Sequence, residues 1–435
     1  MFSQTKYILQ RTLFTFNKPL SRVINQRYLI SRNMQDTKQG LVKYREDPVV
    51  TNWTVKMRDL LLNQIPKDVD FATTATPDQM KDMFNAESVR MINTRGEKHG
   101  TITARINDKE NFEVTTLRID VLTDGRHAEV EFTTDWMLDA NRRDLTINSM
   151  FLGLDGSLYD YFYGYEDLKR RKVSFVGDAD TRIKEDYLRI LRYFRFYGRI
   201  AEQPDNHDEI TLRIINQNVS GMERISGERI WSELKKILEG NFAGELIKTM
   251  LHVGLAKYCG LPEKPNVKEF SQVWDRSRHH NLKPMTLLSA LLNEPEDVYR
   301  LNDRLKLSAY DRELALFVVQ HRELKPDIKP LLPYQRLIIF GKGKTPDVKE
   351  WTTEVLKYQN SALLPAFVEW TVPKFPVPGN MLRERYAVPG GRFMGTVIDK
   401  LKEYWVEHEF KPTQEDLLAR VPEIKCKLEE KNQKT

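Results

Sequence analysis

A change of apolar period near Arg182 constrains this chain more than any other feature. Before it, Gly100–Ile106, Phe112–Arg118 and Ala128–Thr134 alternate β-branched and polar residues with the period of two that suits half-buried strands. After it, apolar residues recur at helical spacing to the C-terminus, as at Tyr187, Leu188, Leu191 and Phe194, and again at Trp231, Leu234, Ile237 and Leu238. Strands and helices segregated along a chain predict an α+β protein, here a small N-terminal sheet with helices against it followed by an all-helical remainder. At 435 residues the chain exceeds one ordinary core, so several domains are expected. No run of roughly 18 apolar residues is present, and membrane insertion is not expected. Cys259 and Cys426 are the two cysteines; they stand far apart without ligand-like spacing, which argues against a disulfide framework and against a cysteine zinc site.

Residues 1–35 form a segment of their own. Lys6, Arg11, Lys18, Arg22, Arg27 and Arg32 are its charges, and no acid precedes Asp36. This composition predicts a mitochondrial transit peptide, the alternative being a basic arm that binds nucleic acid; initiation at Met34 would give a cytosolic or nuclear form. Residues 36–55 are polar and patternless, a linker or an atypical lead-in. A short helix is expected over Met57–Leu62. Thr76-Pro77-Asp78-Gln79, followed by Met80, Met83 and Phe84, predicts an N-capped amphipathic helix. Asn107–Glu110 and Asp120–His127 read as turn-rich connections. Glu185–Gly198 reads as one helix with Asp186, Arg189 and Arg192 along one face, and Thr413 with Asp416 predicts the capping box of the last helix. The net charge of +6 allows a polyanionic partner without requiring one.

Chemistry-bearing residues cluster in four places. In Pro66–Thr74, a strand over Lys67–Phe71 would put Asp68 and Asp70 on one face, with Val69 and Phe71 on the other. Two carboxylates that close repel unless a divalent cation sits between them or one stays protonated, although an isolated Asp-x-Asp is more commonly a solvated strand or turn. Arg142-Arg143-Asp144 with Asn148 reads alone as a salt-bridged helix start. Asp155–Asp160 and Gly164–Leu168 read as a turn and strand followed by a second turn. Asp186 and Arg189 would ordinarily be a surface ion pair worth about 0.2–0.5 kcal/mol.

Taken in order, these stretches resemble one family, the class II CCA-adding tRNA nucleotidyltransferases of eukaryotic type with their bacterial poly(A) polymerase relatives. The matching runs are KDVDFATTATP from Lys67, RGEKHGTITAR from Arg95, RRDLTINSM from Arg142, DGSLYDYFYGYEDL from Asp155, EDYLRILRYFRF from Glu185 and ISGERIWSELKKIL from Ile225. The resemblance is specific from about Arg58 to Gly240 and weak beyond. It implies a nucleotidyltransferase head over 56–170, a neck carrying the nucleotide-reading helix over 171–240, a body over 241–365 and a tail over 366–435. It further implies that Asp68 and Asp70 are catalytic and hold Mg²⁺, with Glu113 a candidate third carboxylate. Arg58, Arg143, Asp144, Asn148, Asp186, Arg189 and Arg192 are implied to bind nucleotide, and the substrates to be CTP, ATP and the acceptor arm and 3′ end of tRNA. Asp186 would accept from an exocyclic amine and Arg189 donate to a ring nitrogen, reading C and A against U and G. Tyr193 and Phe194 read as packing. Arg383, Arg385, Arg392, Lys400 and Lys402 could meet tRNA phosphates, with solvated surface as their default role.

The chain departs from the family's pattern ahead of Asp68. A Gly-Gly turn is expected there so that bare backbone can approach a triphosphate. In Asn52–Leu60 the Arg58-Asp59-Leu60 part matches and the glycines do not; no glycine lies between Gly40 and Gly96, and the usual preceding helix and strand are not visible. A poly(A) polymerase-like or partial CCA-adding enzyme, and a catalytically impaired tRNA-binding form, therefore stand as alternatives.

Overall fold

The structure is a computed structural model that describes residues 54–55, 70–93, 96–106, 108–123, 128–153, 158–341 and 343–433. By its internal contacts the chain divides into two units, Met1–Tyr258 and Cys259–Thr435.

The first unit is built on a mixed sheet of seven strands, β1 (Thr54–Val55), β2 (Asp70–Thr73), β3 (Arg90–Asn93), β4 (Thr101–Ile106), β5 (Glu110–Thr116), β8 (Phe151–Leu152) and β9 (Leu158–Tyr159), in the order β3-β4-β5-β2-β1-β8-β9. β2 runs parallel to β5, and the other pairings are antiparallel. The pleat sorts side chains by face. Phe71, Ile102, Ala104 and Val114 point to a core closed by Met80 and Phe84 of α1 (Pro77–Ala86). That helix starts as its sequence predicts: the Thr76 hydroxyl accepts from Gln79 N at 3.4 Å, and the Gln79 side chain accepts from Thr76 N at 3.0 Å. The opposite face carries Asp70, Thr101, Glu113 and Thr115 toward a cavity.

Several expectations change here. The strand expected over Phe112–Arg118 ends at Thr116, and β6 (Arg118–Thr123) opens a separate two-stranded ribbon with β7 (Ala128–Phe132), so Asp120–Thr123 is strand and not turn. Leu117 is the hinge, because its N–H donates to Thr73 O at 2.8 Å and its own carbonyl accepts from Thr133 N at 2.9 Å. The lead-in segment contributes β1, which pairs with β2 and β8. The second expected turn is instead the helix α3 (Gly164–Lys169), capped by Asp160, which accepts from Gly164 N and Tyr165 N at 2.9 Å each. The expected helix over Met57–Leu62 lies outside the described residues.

Between β7 and β8 lies α2 (Trp136–Asn141), and α4 (Ala179–Glu185), α5 (Arg189–Ile200), α6 (Glu209–Asn218), α7 (Gly227–Leu238) and α8 (Ala243–His252) follow. The single helix expected over Glu185–Gly198 is broken, because Asp186 is extended at φ −153°, ψ 105°. Its carboxylate accepts from Leu188 N at 3.1 Å, a local bond that competes with continuing the helix. Tyr193 and Phe194 are buried as packing residues. Trp231, Leu234, Ile237 and Leu238 form the buried face of α7, which Glu233 ties to Arg195 of α5 at 2.8 Å.

Among the described residues, every regular element of the second unit is a helix. Thr413 does cap a helix with Asp416, over Gln414–Ala419, but the last helix is Val421–Gln433. Leu382, Val397, Leu401, Trp405, Leu417 and Leu418 lie in one buried cluster there.

Candidate active site

A cavity of about 1020 Å³ in the first unit gathers residues from β2, β5, β6, α2, the segment after it, α5 and α7. At one end, Asp70 of β2 and Glu113 of β5 are register partners on neighbouring parallel strands, so both carboxylates lie on the cavity face. The position follows from local hydrogen bonds. Thr116 Oγ1 donates to Ala75 O at 2.8 Å, and Ala75 N donates to Thr73 Oγ1 at 3.2 Å, which pins the end of β2 against β5. Carboxylate oxygens are the ligands that hard divalent cations prefer, and two of them in register fit such an ion. Among the described residues no group of three or more metal-ligating side chains is gathered. Asp68 and Arg58, both expected here, lie outside the described residues.

The cavity wall is organised by a carboxylate that the sequence reading did not single out. Asp139, 1% exposed, accepts from Arg142 Nε at 2.9 Å, from Arg143 Nη2 at 2.9 Å and from Arg118 N at 3.2 Å. Burial would raise its pKa, but the Arg143 and Arg142 guanidiniums outweigh that and hold the carboxyl below its ordinary range. Its signal in the sequence is helical spacing, three and four residues ahead of the two arginines. Arg143 also donates to Asn148 O at 3.2 Å and sits 4.8 Å from the centre of the Phe151 ring. Arg142 and Arg143 thus stand at the end of α2, where a helix start was expected. Arg118 lines the cavity as well, and burial lowers its pKa.

Asp144 and Asn148, expected in the same pocket, are brought together: Asn148 Nδ2 donates to Asp144 Oδ1 at 3.2 Å. Arg192 of α5 donates to Asp144 Oδ2 at 2.6 Å. Burial of Asp144 opposes ionisation, and Arg192 overrides it, so this carboxyl too is held low. Asp144 therefore joins the segment after α2 to α5.

Asp186 and Arg189 both line the cavity, but they do not form the expected ion pair. The broken helix gives each a different partner. Asp186 Oδ2 accepts from Arg229 Nη2 of α7 at 2.7 Å. Arg189, 9% exposed, donates to Glu185 Oε2 at 2.5 Å, to Arg182 O at 2.9 Å and to Arg142 O at 3.0 Å. Arg229 was visible as part of the ISGERIW run, although its partner was not. Arg195, Arg199 and Lys236 add to the cationic lining of the cavity. In the second unit Arg383, Arg385, Arg392 and Lys400 are exposed, Arg385 paired with Glu415 at 3.2 Å and Lys400 with Glu403 at 2.8 Å.

A mixed sheet followed by helices, with a carboxylate strand end facing a cation-lined cavity, is a fold of the nucleotidyltransferase type. Residues 56–174 match the poly A polymerase head domain, and residues 208–263 match the probable RNA and SrmB-binding site of polymerase A. The chain is 53% identical over 368 residues to the CCA tRNA nucleotidyltransferase 1, mitochondrial, of Danio rerio, covering 83% of this chain and 84% of that protein. To the protein of the same name from Homo sapiens it is 47% identical, covering 94% of this chain and 99% of the other. The crystal structure of the Bacillus stearothermophilus CCA-adding enzyme in complex with CTP shares the fold, with a TM-score of 0.63 at 24% identity over 88% of this chain and 94% of that one. The chain belongs to the CCA tRNA nucleotidyltransferase family.

Proposed function

We propose that this protein adds C, C and A to the 3′ end of tRNA from CTP and ATP, selecting each nucleotide with protein side chains. The observation that carries this reading is that one cavity holds both the Asp70–Glu113 carboxylates and the Asp186–Arg189 segment. In the reaction the tRNA 3′-hydroxyl attacks the α-phosphate of the nucleotide, and pyrophosphate leaves. Mg²⁺ held by Asp68 and Asp70, with Glu113 in register with Asp70, would neutralise charge on the phosphates and make the hydroxyl a better nucleophile. The chain's own contribution is positioning and electrostatics. Arg143, held by Asp139, would meet the triphosphate, for which a guanidinium suits paired contacts, and the family resemblance implies a nucleotide-binding role for Arg58 as well. Asp144, Asn148 and Arg192 form the floor. Arg195, Arg199 and Lys236 suit the phosphates of the entering tRNA 3′ end.

Selection rests on Asp186 and Arg189. Cytosine and adenine each present an amine beside a ring-nitrogen acceptor, whereas uracil and guanine present a carbonyl beside a ring N–H. A carboxylate and a guanidinium satisfy the first pattern. Against the second they face their own kind, at about 1–3 kcal/mol for each unpaired buried group. The arginine-rich, acid-free N-terminus and the relatives named as mitochondrial support action in the mitochondrion, with a second pool if translation starts at Met34.

The deciding experiment gives purified protein a tRNA lacking its CCA end, Mg²⁺, and CTP and ATP separately and together. Completion of CCA with both nucleotides, abolished in Asp70→Ala, is expected. Repeated ATP addition would indicate a poly(A)-type activity instead. Absence of turnover with retained tRNA binding would indicate the impaired form that the missing glycines near Val55 bring into question.

A further inference from the structure

Asp186 sits on a connector between helices, and the connector is held from outside. α4 ends at Glu185, α5 begins at Arg189, and Asp186 itself is extended. Arg229 grips the carboxylate at 2.7 Å. The next residue, Tyr187, lies with its ring against Gly221, in the short 3-10 helix Val219–Arg224. A Cβ at position 221 would fall 2.0 Å from Tyr187 Cε1, 2.1 Å from Cδ1 and 2.2 Å from Cζ. Such distances demand displacement of the ring. Gly221 is not among the residues with positive φ, so its backbone suits any side chain and the glycine serves only to leave space. The same short helix carries Arg224, whose guanidinium is 5.8 Å from the Tyr187 ring centre.

The connector has little slack of its own. Leu188 N donates to Asp186 Oδ1, Arg189 N to Asp186 O at 3.0 Å and Ile190 N to Tyr187 O at 3.1 Å. Leu188 is buried. A displacement of Tyr187 that reaches its backbone would carry the adjoining carboxylate with it. We propose that Gly221 is a positioning residue for nucleotide selection: by seating the Tyr187 ring it sets the place from which Asp186 meets the base. This rests on Asp186 being the base-reading carboxylate.

The test measures kcat/KM for CTP, ATP, UTP and GTP on tRNA lacking CCA, with the full chain and with Gly221→Ala, Tyr187→Ala, their combination and Asp186→Ala. Gly221→Ala is expected to lower the preference for C and A over U and G by roughly tenfold, the scale of one imperfectly placed buried hydrogen bond. Tyr187→Ala should lower it too. The combination should match Tyr187→Ala alone, because once the ring is gone the added methyl has nothing to displace. A general loss of folding would lower all four nucleotides together and leave the preference unchanged. The proposal is overturned if folded Gly221→Ala keeps the parent preference, or if the two single effects add. Should Gly221→Ala fail to fold, the combined variant is expected to fold, and its failure to do so would also overturn the seat. If Asp186→Ala itself leaves nucleotide preference intact, the base-reading assignment fails, and the inference about Gly221 goes with it.

Discussion

At the residue scale, buried charge in this protein is tolerable only because each group is paired. Asp139 and Asp144 are 1% and 6% exposed, and each is ionised against guanidiniums. A carboxyl held below its unfolded pKa stabilises the fold above that pKa, near 3.9, and loses its contribution as the pH falls through the folded value. Those two acids therefore contribute fully at neutral pH, and they make stability depend on pH only below about pH 4. His207 works in a higher window. Burial pushes its pKa down to about 4, with Asp205 pulling weakly the other way, and its Nε2 has no hydrogen-bond partner. Its ring stacks on Tyr197 at 3.7 Å, and its Nδ1 meets Tyr193 Oη at 3.0 Å. Unfolded histidine takes up a proton below about pH 6.5, and this one resists until about pH 4, so stability should decline as pH falls across that interval. Melting temperature measured from pH 7 to pH 5 should fall in the parent and fall less in His207→Phe; equal slopes would refute it.

At the element scale, the site depends on short pieces pressed together. Gly164, at the start of α3, abuts the turn Thr146–Asn148, and a Cβ there would lie 2.2 Å from Thr146 O. Backbone cannot yield as a flexible side chain can. Gly164→Ala should cost about 1–3 kcal/mol, read as a lower melting temperature, and should weaken nucleotide binding because Asn148 lies on the displaced turn. This contact was not legible in the sequence, where Gly164 reads as a turn residue. The N-cap of α1 was legible, because Thr76 and the residues it caps lie within four residues of each other; that Gln79 completes a capping box is shown by the structure. The break between α4 and α5 was not: Glu185–Gly198 keeps an unbroken helical apolar period, and only the Asp186 bond to Leu188 N and the Arg229 pair beyond it decide for a connector. The ribbon of β6 was hidden for a different reason: the charged run Asp120–His127 reads as a turn-rich connection after a strand ending at Arg118, whereas the change of sheet is enforced by hydrogen bonds at Leu117.

At the scale of the whole molecule, the balance of charge matters less than its placement. A net charge of +6 is mild, yet Arg118, Arg143, Arg192, Arg195, Arg199 and Lys236 all line one cavity. Binding of tRNA through phosphates should weaken steeply with salt, by a slope of about 0.7 per phosphate contact in a logarithmic plot for single strands. Replacing Lys236 or Arg199 by Ala should reduce that slope by roughly one contact, measured by tRNA titration at several salt concentrations, whereas an unchanged slope would place the tRNA elsewhere.

By itself the sequence determined the α+β class, the order of sheet and helices, the helix caps and the family, because period, capping and motif order are local along the chain and survive without knowledge of contacts. Only the tertiary structure decided that Glu113 lies in register with Asp70, that Asp139 holds both arginines, and that Asp186 answers to Arg229 instead of Arg189. The first is set by the register of two strands far apart in sequence, and the other two are choices among several nearby charges of opposite sign. Such choices are made by burial and by the fixed direction of a few hydrogen bonds, which no spacing along one chain can express.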